Sequence, residues 1–107
     1  MTHIFLATDD AAAEEAFRDA FGALLHVRTG VQRVKGGLNP DHTLNEVHIK
    51  SPYNPRCTLK DAVDVLSDAL LLAKCATVVH MDSNVTSAVA LLNPKATMVH
   101  MCDLFYW

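Results

Sequence analysis

The 107-residue sequence predicts an α/β fold in three layers, with about four short parallel strands in one sheet and helices on both faces. Three observations lead there. Short runs of branched apolar residues alternate along the chain with segments of helical period. The runs ATVVHM (76–81) and ATMVHM (96–101) nearly repeat one another with one helical pattern between them, the spacing of a right-handed parallel strand, helix and strand. These runs are apolar on both faces, as strands are in a sheet that helices cover.

HIFLAT (3–8) reads as the first strand, and Thr8, Asp9 and Asp10 then offer a cap for the helix AAAEEAFRDAFG (11–22). Phe17, Phe21 and Leu24 recur at helical spacing, and Gly22 is the expected C-terminal stop. LLHV (24–27) reads as a second strand. Residues 28–57 hold Gly30, Gly36, Gly37, Pro40, Pro52 and Pro55 with little period, so they read as one long loop of the kind that is either a binding loop or disordered. Thr58 starts the next helix, with Asp61 in the place of a capping-box acid, and Val63, Leu66, Leu70 and Ala73 form its apolar face. The two near-repeated strands, with VTSAVALL between them, complete the series.

Length and balance bound the function. With 50% hydrophobic and 20% charged residues, the chain is one ordinary globular domain, 1–107, too short for two cores and small for an enzyme with its own cleft. A net charge of −3 gives no general attraction to nucleic acid or anionic lipid. The distribution is uneven, however. Residues 28–60 carry six basic and two acidic side chains, while the segments before and after carry an acidic excess, which makes the middle a positive island. Cys57, Cys75 and Cys102 are odd in number and widely spaced, which fits neither a disulfide framework nor a zinc knuckle and suits a reducing, cytoplasmic setting. No apolar run approaches a membrane span, and the N-terminus lacks the pattern of an export signal.

In open parallel sheets, ligands sit beyond the carboxyl ends of the strands, where helix N-termini gather. Two polar turns fall there: Thr8-Asp9-Asp10 and Asp82-Ser83-Asn84. Their plain role is helix capping. Their sharper role is an anion site, because the free N–H groups at the positive end of a helix dipole can receive a phosphate. Three carboxylates at that edge would repel one unless they cap helices or meet a sugar or base, and Arg28, Arg33, Lys35, Lys50, Arg56 and Lys60 of the loop could offset their charge.

IFLATDD, and then DVLSDALLLAKCATVVHMDSNVTSAVALLNP, resemble the C-terminal half of the nucleotide-binding domain in fucosyltransferases of the α-1,6 and nodulation type. Those are inverting enzymes with two Rossmann domains that use GDP-fucose. The resemblance runs from His3 to about Pro94, with a weakly matched centre. It implies a Rossmann-like half-domain that binds a nucleotide-sugar donor, in which Asp9 and Asp10 support activity, Asp68 reaches the guanine base, and Ser83 with Asn84 contacts the diphosphate. It implies no metal, with a glycan acceptor as the further partner. The family's arginine-rich motif and acceptor domain lie outside the matched region. The chain alone is therefore expected to be incomplete for catalysis: a fragment, a remnant or part of a split enzyme. The apolar terminus LFYW (104–107) reads as packing on the domain's own surface or on a lost partner, and self-association as a symmetric dimer is the expected outcome where it is left open. The alternative from another class is a non-catalytic α/β interaction module derived from such a domain.

Other chemistry has weaker signals. His80 and His100 hold equal positions in the repeated strands, which suggests side-by-side rings at the strand ends. With Asp82 or Cys102 they would suggest a metal, but two histidines each bonded to a neighbour is the plainer reading. His42 and His48 are ambiguous, and Cys75 reads as an inert core thiol. No GxSxG, P-loop or GxGxxG motif is present.

Overall fold

A computed structural model describes residues 2–31, 33, 40 and 58–105. Most of the loop 28–57, including Lys35, Lys50, Arg56, His42, His48 and Cys57, and the terminal Tyr106 and Trp107, lie outside the described residues. The order of elements is β1 (Ile4–Leu6), α1 (Ala11–Phe21), a 3-10 turn (Gly22–Leu24), β2 (Leu25–Val27), α2 (Leu59–Leu72), β3 (Thr77–His80), α3 (Asn84–Leu92), β4 (Thr97–His100) and α4 (Met101–Phe105). The protein is thus mixed α/β with parallel strands. The four strands pair two by two, β1 with β2 and β3 with β4, rather than as one four-stranded sheet among the described residues. Two compact units correspond to these pairs, Met1–Ala62 and Val63–Trp107.

In the first unit, β1 and β2 run parallel with Ile4 opposite Leu25, Phe5 opposite His26 and Leu6 opposite Val27. The crossover is α1. Asp10 is its N-cap, in extended backbone, and its Oδ1 accepts from Ala12 N–H at 2.8 Å, while the Asp10 N–H donates to Thr8 Oγ1 at 3.1 Å. Gly22 ends the helix at φ +53° and ψ −122°, where its N–H donates to the Arg18 carbonyl. Only glycine adopts that conformation without strain, so the stop expected from sequence has a backbone cause. Arg33 Nε lies 3.5 Å from Glu14 Oε1. That nitrogen is buried and its N–H is not aligned into a hydrogen bond, so the contact is an ion pair held by proximity. The other guanidinium nitrogens donate to the carbonyls of Val31 and Arg28. Thr58 and Asp61 form the capping box that opens α2: Thr58 N–H donates to Asp61 Oδ2 at 2.9 Å, and Asp61 N–H to Thr58 Oγ1 at 3.4 Å.

The second unit packs around Ala69, Val78 and Val89, with Leu72, Ala73, Cys75, Val85 and Met98 against them. Val89 is fully buried. The apolar face expected for α2 is only partly the one used. Val63, Leu66 and Leu70 are about half exposed or more, whereas Asp64 and Ala69 are the helix's buried residues. Ala69 wins because a methyl group lets helix and strand approach closely, which a leucine at the same place would prevent. Asp64 and Asp68 are each engaged in polar or electrostatic interactions. Asn93, the C-cap of α3, ties that helix to the end of α2: its Nδ2 donates to the Ala73 carbonyl at 2.7 Å, and its Oδ1 accepts from Lys95 N–H at 3.2 Å. β3 and β4 then pair in full register, Thr77 with Thr97, Val78 with Met98, Val79 with Val99 and His80 with His100.

Candidate functional site

The β3–α3 turn sits at the carboxyl end of a parallel strand pair and carries the densest polar cluster among the described residues. Ser83 is the N-cap of α3, in extended backbone, and its Oγ accepts from Thr86 N–H at 3.1 Å. The same Oγ lies 2.7 Å from Thr86 Oγ1, which donates onward to the Met81 carbonyl at 2.8 Å. Ser83 also takes the Ser87 N–H on its carbonyl at 3.1 Å, with the Ser87 hydroxyl on the same oxygen at 3.3 Å. The knot is therefore a cap in the strict sense. The third and fourth N–H donors of the turn are consumed, and those of Asn84 and Val85, the first two of α3, have no bond to a described residue. A helix start always leaves such donors over, and at the positive end of the dipole they favour an anion.

Beside this turn lies an open depression of about 700 Å³, lined by His80, Asp82, Ser83, Asn84, Thr86, Ser87, Ala90 and Met98. Ligand sites of this size usually enclose their occupant in apolar walls. This one is a shallow, open shelf of mixed polar and apolar lining, suited to a group that stays partly solvated.

The histidines stand side by side as the strand repeat suggests, edge to face with ring centroids 5.3 Å apart. Nδ1 of each ring is occupied. His80 Nδ1 bonds the Met81 carbonyl at 3.1 Å. His100 Nδ1 accepts the Cys102 N–H at 3.1 Å, which leaves the proton on Nε2, 3.3 Å from Asp82 Oδ1. Since the Asp82 side chain is 94% exposed, water screens that contact, and it orients more than it stabilises.

Of the residues expected at a site, Ser83 and Asn84 line the depression together with Asp82 and His80. Asp68 is half-buried in α2 and does not line it. Asp9 and Asp10 belong to the first unit, where Asp10 is a cap and Asp9 is exposed at the carboxyl end of β1. The expected counter-charge is partly committed elsewhere: Arg33 faces Glu14, and Lys60 Nζ donates to the Gly30 carbonyl at 2.6 Å. Ser87 and Met98 were not legible as lining residues. Ser87 could have been found, since it follows Ser83 by one helical turn. No group of three or more histidine, cysteine, aspartate or glutamate side chains among the described residues is arranged to hold a metal ion, and no helix among them is long and apolar enough to cross a membrane. No protein family, characterised protein or solved structure was found to match the chain.

Proposed function

We propose that the chain is a nucleotide-sugar glycosyltransferase-like donor domain, and that the start of α3 receives the diphosphate of GDP-fucose. One observation carries this reading. Asn84, whose N–H is bonded to no described residue, lines a shelf at the carboxyl end of two parallel strands, beside Ser83, Thr86, Ser87 and His80. In this reading Asn84 adds an amide donor to the diphosphate oxygens, and Asp68 accepts from the paired N–H groups of guanine. Asp9 and Asp10 support transfer to a glycan acceptor. The fold that the reading requires is a three-layer, Rossmann-like sheet of four parallel strands. A non-catalytic interaction module is favoured instead by the closed hydrogen bonding of Ser83 and Thr86 and by the exposed Asp82 carboxylate, which repels an anion.

Titration of isotope-labelled protein with GDP separates the two. Donor binding shifts the amides of residues 82–86 and 67–70 before any others. Shifts scattered over the surface, or none at millimolar GDP, leave the interaction module as the reading. Asp68→Ala then tests the base: it weakens GDP more than ADP or UDP if Asp68 meets guanine, and all three equally if Asp68 is structural.

A further inference from the structure

His3 and His26 form a second pair of histidines, in the first unit. His3 immediately precedes β1 and His26 lies within β2, so the parallel pairing of the strands brings their side chains together. Nδ1 of His3 is 2.8 Å from Nε2 of His26, with the rings tilted by 46° and their centroids 4.9 Å apart. Both residues are exposed. In this contact one nitrogen carries the proton and the other offers its lone pair. Neither assignment is locked, because no other hydrogen bond to a described residue fixes either ring's tautomer. His80 and His100 differ on just this point, since a backbone group engages Nδ1 of each.

We propose that His3 Nδ1 and His26 Nε2 are the protein ligands of a surface site for a divalent transition ion of the Cu(II) or Ni(II) type. The distance supports it. With metal–nitrogen bonds of about 2.0–2.1 Å, two nitrogens 2.8 Å apart subtend an angle of roughly 85° at the ion, near the right angle that tetragonal Cu(II) and Ni(II) prefer between neighbouring ligands. A tetrahedral ion would need them roughly 3.3 Å apart, so Zn(II) fits less well. Binding costs no net proton from a neutral pair: the hydrogen between the rings moves to the outer nitrogen of the ring that carried it, and the two exposed rings turn so that both lone pairs meet the ion. Water completes the coordination, since both side chains are exposed and no cluster of three ligating side chains forms among the described residues. An ion held there ties β1 to β2, which share only three paired positions.

Calorimetric titration with nickel chloride tests this directly, with copper(II) line broadening in NMR spectra of the same protein to locate the ion. The chain is used with its amino group acetylated, so that the terminus cannot act as a ligand. One equivalent of nickel binds with micromolar affinity, zinc binds more weakly, and copper broadens residues 2–5 and 25–28 first. His3→Ala and His26→Ala each lower nickel affinity by roughly tenfold or more, while His80→Ala leaves it unchanged. His3→Gln and His26→Gln, which keep a polar side chain without the imidazole, guard against a variant that loses structure, and far-UV circular dichroism confirms the fold of each. Nickel affinity that survives both His3→Gln and His26→Gln overturns the proposal, as does the absence of saturation at millimolar nickel. Its failure would leave the reading of α3 untouched, because the two sites share no residue.

Discussion

Ser83 is a helix cap in the structure and an anion contact in the proposed function, and two substitutions pull the two apart. Ser83→Ala removes the oxygen that holds Thr86 N–H at 3.1 Å, and loss of such a cap costs about 1 kcal/mol within a range of roughly 0.5–2. The structure places this case near the middle of that range: Thr86 Oγ1 keeps its bond to the Met81 carbonyl, so no hydroxyl is orphaned, and Ser83 itself is exposed. The corresponding fall in Tm is about 4–8 °C for a domain of this size. Ser83→Asp restores a cap of equal quality, and its charge suits the helix dipole but faces Asp82 next to it, so stability stays within about 0.5 kcal/mol of the parent. Its effect on ligand is opposite. A carboxylate about 4 Å from a phosphate oxygen costs several kcal/mol at an effective dielectric constant of about 20, enough to abolish GDP binding. Urea denaturation gives the stabilities from the midpoint at constant slope, and amide shifts on GDP addition give the affinities. An unchanged midpoint in Ser83→Ala would refute the cap. A Ser83→Asp protein that binds GDP like the parent would refute the anion site while leaving the cap intact.

Three further outcomes follow from packing and backbone. Val89→Ala removes two buried methyl groups from a fully buried position and lowers stability by about 2 kcal/mol, read from the urea midpoint; a loss under about 0.5 kcal/mol would show that this core is loosely packed. Gly22→Ala meets no steric neighbour, so its cost is the backbone strain at positive φ alone, about 1–3 kcal/mol by the same measurement. Asp61→Ala breaks the reciprocal cap with Thr58 and raises amide exchange in the first turn of α2, with a stability loss of about 1 kcal/mol, whereas Asp61→Glu keeps part of it.

The local code of the chain was the most readable part. Asp10, Gly22, the Thr58–Asp61 box and Ser83 all stop or start helices where their side chains or backbone freedom say they should. The strand repeat also announced the pairing of His80 with His100, because equal positions in two parallel strands of one register must meet. What periodicity misread was α2. Counting apolar residues every third or fourth position selects Val63, Leu66 and Leu70, but packing selected the small Ala69 and took the charged Asp64 with it. Hydropathy ranks a side chain by its affinity for oil, whereas a close helix and strand contact ranks it by size. The His3 and His26 contact was not legible at all. Twenty-three residues separate the two, and only the register of β1 on β2 brings them together.

The register of β3 on β4 sets like beside like at all positions but one: threonine on threonine at one end, histidine on histidine at the other and Val79 on Val99 beside it, with Val78 on Met98 the exception. A ladder of that kind does not distinguish its own next rung from a stranger's. Any strand that spells the same short phrase fits the open side of either member as well as the existing partner does, and among the described residues neither β3 nor β4 has a second neighbour. Such stacking in parallel, with identical side chains in line, is the arrangement that fibrils extend indefinitely. Within this unit one helix with its short turns joins the pair, so its described residues supply two rungs and no third. Cutting that connection while keeping both strands would therefore release a template as well as unfold a unit.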